Sequence, residues 1–291
     1  MPERPAGSHQ VLVAVAHGSA DPRAAATVTD LMAVAAERAA ARGLSLPEVR
    51  AAYLGHAAPS LPQVMGAIGR ARVTVLPLLL TAAYHSKTDI PRVLARLSGE
   101  FPRLQVNYGA TLGPHPLLLS ALERRLAEAD PLGPADPARR AQTGVVLAAA
   151  GSTDPEANAT ITRLAAQWQA RAGWFAVRPA SAAATPGLPT PVAQAVQASG
   201  PPTPGAQTPG APTSGAPTPA EAVTGLLRAG ARRVLVATYL LAPGLFADRI
   251  RATALAAGAA AVSPALGASP EVAEVLLDRY QEAGSVRRTA A

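Results

Sequence analysis

The chain contains no cysteine in 291 residues. Disulfides and thiolate metal sites are therefore closed to it, as expected of a protein of the reducing cytoplasm. Aromatic residues are scarce: Phe, Trp and Tyr together make up 3%. No segment interleaves them with basic residues as base-stacking surfaces do, which argues against nucleic acid as a partner. Lysine is nearly missing, for among 26 basic residues only Lys87 is a lysine. The abundance of arginine, alanine, glycine and proline matches the coding bias of a GC-rich genome, which accounts for most of the +7 net charge. The functional alternative is that some arginines receive a polyanionic ligand, since guanidinium pairs with carboxylates in bidentate fashion. Long apolar runs are lacking too. Only Val11 to Ala16 forms such a run ahead of His17, too short for a secretory core or a membrane span. The expectation is a soluble, cytoplasmic protein with no membrane partner. Neither Gly-x-Gly-x-x-Gly nor a Walker A sequence occurs, so no nucleotide cofactor is expected.

What the chain does have is repetition. Ala16-His17-Gly18-Ser19-Ala20-Asp21-Pro22 returns as Ala149-Ala150-Gly151-Ser152-Thr153-Asp154-Pro155, at an offset of 133 (150 − 17). Val73 to Leu80 aligns with Val234 to Leu241 at 161, placing His85 on Phe246. Leu112-Gly113-Pro114-His115-Pro116 aligns with Leu266-Gly267-Ala268-Ser269-Pro270 at 154, placing His115 on Ser269. A duplicated frame whose imidazoles survive in one copy points to one working site and one degenerate partner.

Within each copy strands and helices alternate. Strands are expected at Val11–Ala16, Val49–Leu54, Val73–Leu80 and Leu104–Tyr108. Helices are expected at Ala24–Arg42, Pro59–Arg70, from Asp89 to about Leu97 with Thr88 or Asp89 as cap, and at Pro116–Glu128. The second copy repeats the pattern with Val145–Ala149, a helix from Ala157, a strand near Ala176, Val234–Leu241, a helix from Asp248, and Pro270–Gln281. Strands apolar on both faces and separated by helices indicate an α/β fold with parallel sheets covered on both sides. The expected division is an active domain at 1–128, a proline-rich linker at 129–143, and a degenerate domain at 144–291. The growth in offset from 133 to 161 locates an insertion in the second copy. Its Pro/Thr/Gly/Ala composition over 185–219 predicts a disordered, extended tract.

Ligands of parallel α/β sheets gather at the carboxyl ends of the strands. His17 follows the first strand directly, and His85 lies five residues past the third. Both are expected on one rim. A lone loop histidine is usually a structural hydrogen-bonder, but two on one rim, both lost from the duplicate, favour function. Neutral imidazole suits Fe²⁺, Co²⁺ and Ni²⁺ and accepts protons near neutral pH. Two histidines do not close a structural site, and an open, weakly held ion is what a protein that passes metal on requires. His56, after the second strand, is a third metal candidate. His115 is expected to cap or pack before its helix, and His9 to play no part. Gly18 and Ser19, kept in both copies as Gly151 and Ser152, suit a tight turn with serine as helix cap. Their amides are also candidates for receiving a ligand carboxylate.

These residues resemble the class II chelatases of the sirohydrochlorin cobalt/iron chelatase family. The resemblance is carried by Ala16-His17-Gly18-Ser19 with Asp21-Pro22-Arg23, Pro59-Ser60-Leu61, Pro77-Leu78-Leu79-Leu80, Tyr84-His85 with Asp89-Ile90-Pro91, and Leu112-Gly113-Pro114-His115-Pro116-Leu117. It spans Val11 to Leu126, and the second half is similar to the degenerate copy of two-domain forms. The resemblance implies two chelatase-type lobes facing across a cleft; the expected form is a pseudo-twofold internal pseudo-dimer in a monomer, with an oligomer as the open alternative. It implies ATP-independent insertion of Fe²⁺ or Co²⁺ into sirohydrochlorin, a lyase-class reaction on the route to sirohaem or cobalamin. By position His17 and His85 match the family's metal-binding and catalytic histidines. Where the family often has an acidic residue after the second strand, this chain has Gly55-His56. Where it commonly has glycine two places before the second histidine, this chain has Ala83. The alternative reading is a non-catalytic metal or tetrapyrrole carrier. A histidine phosphatase expects Arg-His-Gly, whereas Ala16 precedes His17.

Overall fold

After exposed Gln10, every residue of the first strand, β1 (Gln10–Ala16), is buried from Val11 to Ala16, as a central parallel strand with helices on both faces requires. In this computed structural model, which describes residues 10–69, 71–130, 136–184 and 215–285, β1 lies between β2 (Glu48–Tyr53) and β3 (Arg72–Pro77). β4 (Gln105–Tyr108) joins outside β3, giving the parallel order β2-β1-β3-β4. β5 (Thr143–Ala149), buried throughout, centres a second parallel sheet. Its partners are β6 (Ala176–Ser181), β7 (Arg233–Tyr239) and β8 (Ala261–Val262), in the order β6-β5-β7-β8. The helices are α1 (Pro22–Ala41), α2 (Leu61–Ile68), α3 (Ile90–Glu100) and α4 (Pro116–Ala129), then α5 (Pro137–Arg140), α6 (Pro155–Ala172), α7 (Pro219–Arg228), α8 (Leu245–Ala256) and α9 (Pro270–Ser285). The expected class, two parallel four-stranded sheets flanked by helices, is the observed one. Among the described residues no helix is long and apolar enough to cross a membrane.

The duplicate frame survives in local detail. Asp21 and Asp154 cap α1 and α6 through the backbone N–H two residues on, each with proline at the first helical position. The expected capping serines act one step earlier: Ser19 and Ser152 accept from the N–H of Asp21 and Asp154. α2 and α7 both open with a capping box, Ser60 with Gln63 and Thr218 with Glu221. α7 is absent from the sequence expectations, although Thr218-Pro219-Ala220-Glu221 carries that signature. The Pro/Thr-rich stretch therefore ends sooner than expected, at the cap of α7. The rest of it, residues 185–214, lies outside the described residues. In the first copy the loop after β2 is closed by the Tyr53 N–H donating to the Pro59 carbonyl. In the second the Ser181 N–H donates to Pro217 in the same way. Along the chain the insertion falls between β6 and α7, the interval that corresponds to the one carrying His56 between β2 and α2.

The division of the chain differs from the expected one at 128–144. Two compact units form, Met1–Gly113 with Ala268–Ala291, and Pro114–Gly267. Each copy's last helix belongs to the other copy's unit. α9 packs on α1 and β3, with Val272, Ala273, Val275, Leu276 and Leu277 fully buried. Its Arg279 donates to the carbonyls of Thr111 and Leu112 at 2.8 and 3.3 Å. α4 packs on β7 and β8 with Leu118, Leu122 and Leu126 fully buried, and its Arg125 donates to the Leu266 carbonyl at 3.0 and 2.9 Å. Arg125 and Arg279 stand at the 154 offset (279 − 125), as do Leu112 and Leu266 (266 − 112). The exchange is therefore reciprocal. Burying each leucine contributes roughly 2 kcal/mol, so a helix with three buried leucines belongs to the unit that covers them. The expected linker is also partly structural: Arg140 of α5 pairs with Glu123 of α4 at 2.6 Å.

Candidate functional site

His17 leaves β1 at its carboxyl end. The next residue, Gly18, turns the chain with φ 90°, as Gly151 does with φ 89° in the second copy. At Gly18 a side chain would collide with the Gly55 carbonyl, so only glycine admits this approach. The contact is fastened by the Gly55 N–H donating to the His17 carbonyl at 3.1 Å. The His17 ring is partly buried, and its Nδ1 lies 3.1 Å from the Gly18 carbonyl. With Nδ1 donating there, Nε2 carries the lone pair. Burial lowers the His17 pKa from its ordinary 6.5; nearby His85 and His56 lower it further, while the Gly18 carbonyl and Asp89 oppose the shift. The net shift favours the neutral imidazole.

His85 arrives from the other side, past β3. It opens a π-helical turn, His85–Asp89, that runs into α3. The Ile90 N–H donates to the His85 carbonyl, five residues back. Ser86 is buried and exchanges two hydrogen bonds with the Ala83 backbone, and its carbonyl accepts from the Tyr108 hydroxyl at 2.8 Å. His85 Nδ1 donates to Asp89 Oδ2 at 2.6 Å. The two imidazoles meet edge to face, with centroids 4.6 Å apart and planes at 77°. Tyr84, 45% exposed, stands beside His85 with centroids 6.1 Å apart.

The structure thus brings His17 and His85 together at one rim. It does not bring His56 into a ligand set with them: among the described residues no three His, Asp or Glu side chains form a metal-holding group. His56 is exposed and takes the left-handed conformation, φ 57°. His115 accepts from the Leu117 N–H at 3.3 Å as the cap of α4, the structural role expected of it; His9 lies outside the described residues. Gly18 and Ser19 lie at the same rim as His17, with the Ser19 hydroxyl engaged by the Asp21 N–H. The duty of Asp89 is not disclosed by its sequence position. Expected as a helix cap, it makes no capping bond, because the turn passes into α3 without a helix start to cap; its carboxylate goes to His85. The part played by Tyr108 is hidden from the sequence as well, its contact with the Ser86 carbonyl being made from β4.

A family model described as CbiX matches residues 11–129 and 209–283. The sirohydrochlorin ferrochelatase of Bacillus subtilis is 33% identical over 98 residues, 33% of this chain and 34% of that protein. The sirohydrochlorin cobaltochelatase of Priestia megaterium is 30% identical over 96 residues, 33% of this chain and 30% of that protein. The chain thus matches about a third of the length of each of these curated relatives. Among solved structures, SirB from Bacillus subtilis with Fe³⁺ has the same fold, with a TM-score of 0.66 at 22% identity over 94% of this chain and 95% of that one.

Proposed function

The chain belongs to the CbiX family, and from that premise we propose that it is a sirohydrochlorin chelatase, inserting Fe²⁺ or Co²⁺ without ATP. The observation that carries this reading is the meeting of His17 and His85, ring centroids 4.6 Å apart, at the carboxyl rim of the first sheet. Two imidazoles offer two nitrogen donors to a borderline divalent ion and leave most of its coordination sphere to water and to the incoming macrocycle. A substrate ion must be released, so an open site suits the task better than a closed four-ligand one. As pyrrole nitrogens replace the imidazoles, the macrocycle gives up two N–H protons. One passes to a freed imidazole and on to water, the other to solvent. The amides of Gly18 and Ser19 at the same rim are proposed to receive a peripheral carboxylate of the tetrapyrrole.

The test follows the visible spectrum of sirohydrochlorin with Co²⁺, the protein being substoichiometric. The expected result is many turnovers by the wild-type chain and, for the His17→Ala/His85→Ala double variant, a rate equal to the uncatalysed background. Undiminished metallation by the double variant refutes the assignment. Metal or tetrapyrrole bound once per chain without turnover identifies a carrier instead.

A further inference from the structure

The π-helical turn is peculiar to the copy that keeps its histidines. Along the strands the two copies run at an offset of 161, Leu80 matching Leu241 (241 − 80). In the helices that follow, the buried residues Ile90 and Leu94 match Ile250 and Ala254, an offset of 160 (250 − 90). One extra residue has therefore entered the first copy between Leu80 and Ile90. That interval holds the π-turn His85–Asp89, whereas the second copy passes straight into the regular helix α8. A π-turn is what a one-residue insertion at a helix makes, and such turns concentrate at functional sites. The second copy has neither partner of the turn's side-chain bond. At either offset His85 meets Phe246 or Leu245, and Asp89 meets Ile250 or Arg249.

Resting on the reading of His17 and His85 as the metal-meeting pair, we propose that Asp89 is the positioning residue of His85, and that the inserted residue of the π-turn serves this pairing. Asp89 Oδ2 accepts from His85 Nδ1 at 2.6 Å. That bond places the ring hydrogen on Nδ1 and the lone pair on Nε2, and it holds the imidazole edge to face with His17. The turn is braced independently of Asp89 by the Ser86 bonds to Ala83 and by the Tyr108 hydroxyl on the Ser86 carbonyl. Removal of the carboxylate therefore frees the ring while the backbone stays. A carboxylate behind a ligating histidine fixes its tautomer and raises its donor strength, and losing it commonly lowers metal affinity or activity by about 10- to 100-fold.

The experiment combines nitrogen NMR of the full chain, without metal and at mildly alkaline pH, with Co²⁺ insertion kinetics. Wild-type His85 is expected to carry its hydrogen on Nδ1, and the assignment needs only His85→Gln to identify the signal. Asp89→Ala is expected to shift His85 toward the Nε2–H tautomer and to lower kcat for Co²⁺ insertion about 10- to 100-fold, with KM for sirohydrochlorin unchanged. Asp89→Asn, whose amide oxygen still accepts from Nδ1, is expected to keep the tautomer and most of the turnover. A wild-type His85 protonated on Nε2 overturns the proposal without any variant. So does an Asp89→Ala chain that keeps both tautomer and turnover. An inactive wild-type chain refutes the chelatase reading alone, since the tautomer remains measurable.

Discussion

Single residues at this rim are held by partners distant in sequence, and Tyr108 is the sharpest case. Burial pushes its phenol up to about 12, and its hydroxyl donates to the Ser86 carbonyl at 2.8 Å. A folded pKa raised above the ordinary 10.0 means that the phenol's contribution is fully present below about pH 10 and is lost as pH climbs through 12. Tyr108→Phe is expected to destabilise the fold by about 1 kcal/mol at neutral pH. The difference in stability between wild type and variant should stay level to about pH 10 and shrink above it, as denaturant unfolding across pH will show. A difference that grows with alkalinity contradicts the assignment. Turnover in the same variant should fall less than in Asp89→Ala, because Ser86 keeps its own bonds to Ala83.

Elements are tied to their unit by a few polar hubs set in apolar contact. Glu123 of α4 is the clearest. Its carboxylate accepts from Trp168 Nε1 at 2.6 Å, from Trp174 Nε1 at 3.2 Å, and from the Arg140 guanidinium at 2.6 Å. Arg140 in turn lies 4.4 Å above the Trp174 ring. Glu123→Ala leaves two largely buried indole N–H groups without their acceptor and takes the carboxylate from Arg140, which keeps its bond to the Ala172 carbonyl, and is expected to cost about 2–4 kcal/mol. The chain has two tryptophans, and both report on this cluster. A lower denaturant midpoint in their fluorescence checks the prediction, and an unmoved midpoint denies the hub its role. On α9 the counterpart ties are ionic: Glu274 pairs with Arg38 at 2.9 Å and with Arg42, and Asp278 pairs with Arg42 at 3.2 Å.

At the scale of the whole chain, the reciprocal exchange of last helices means that neither repeat is a self-sufficient folding unit. A chain ending at Gly267 loses α9, and with it the apolar cover of α1 and β3. Such a chain should lose the cooperative unfolding of the first unit, seen as a reduced far-ultraviolet circular dichroism transition. The tryptophan transition should persist, since Trp168 and Trp174 lie in the unit Pro114–Gly267, which keeps its own cover in α4. Adding a peptide of residues 268–285 should restore the lost transition. A truncated chain with an undiminished transition contradicts the exchange.

Much of this was legible in the sequence. Strand positions follow from apolar runs, helix starts from capping residues, and the convergence of His17 and His85 from the rule that loops after parallel strands share a rim. Those features depend on neighbours a few residues away or on a general property of the sheet. The ownership of α4 and α9 did not follow. Both sheets descend from one repeat and offer similar apolar surfaces, so periodicity shows which face of a helix is buried but not which sheet buries it. The duty of Asp89 was hidden for a related reason. Aspartate ahead of a helix is read locally as a cap, and only the π-turn, which removes the helix start and sets the carboxylate against His85 Nδ1, decides otherwise. Short-range chemistry wrote the elements; long-range burial of equivalent surfaces decided how they were shared.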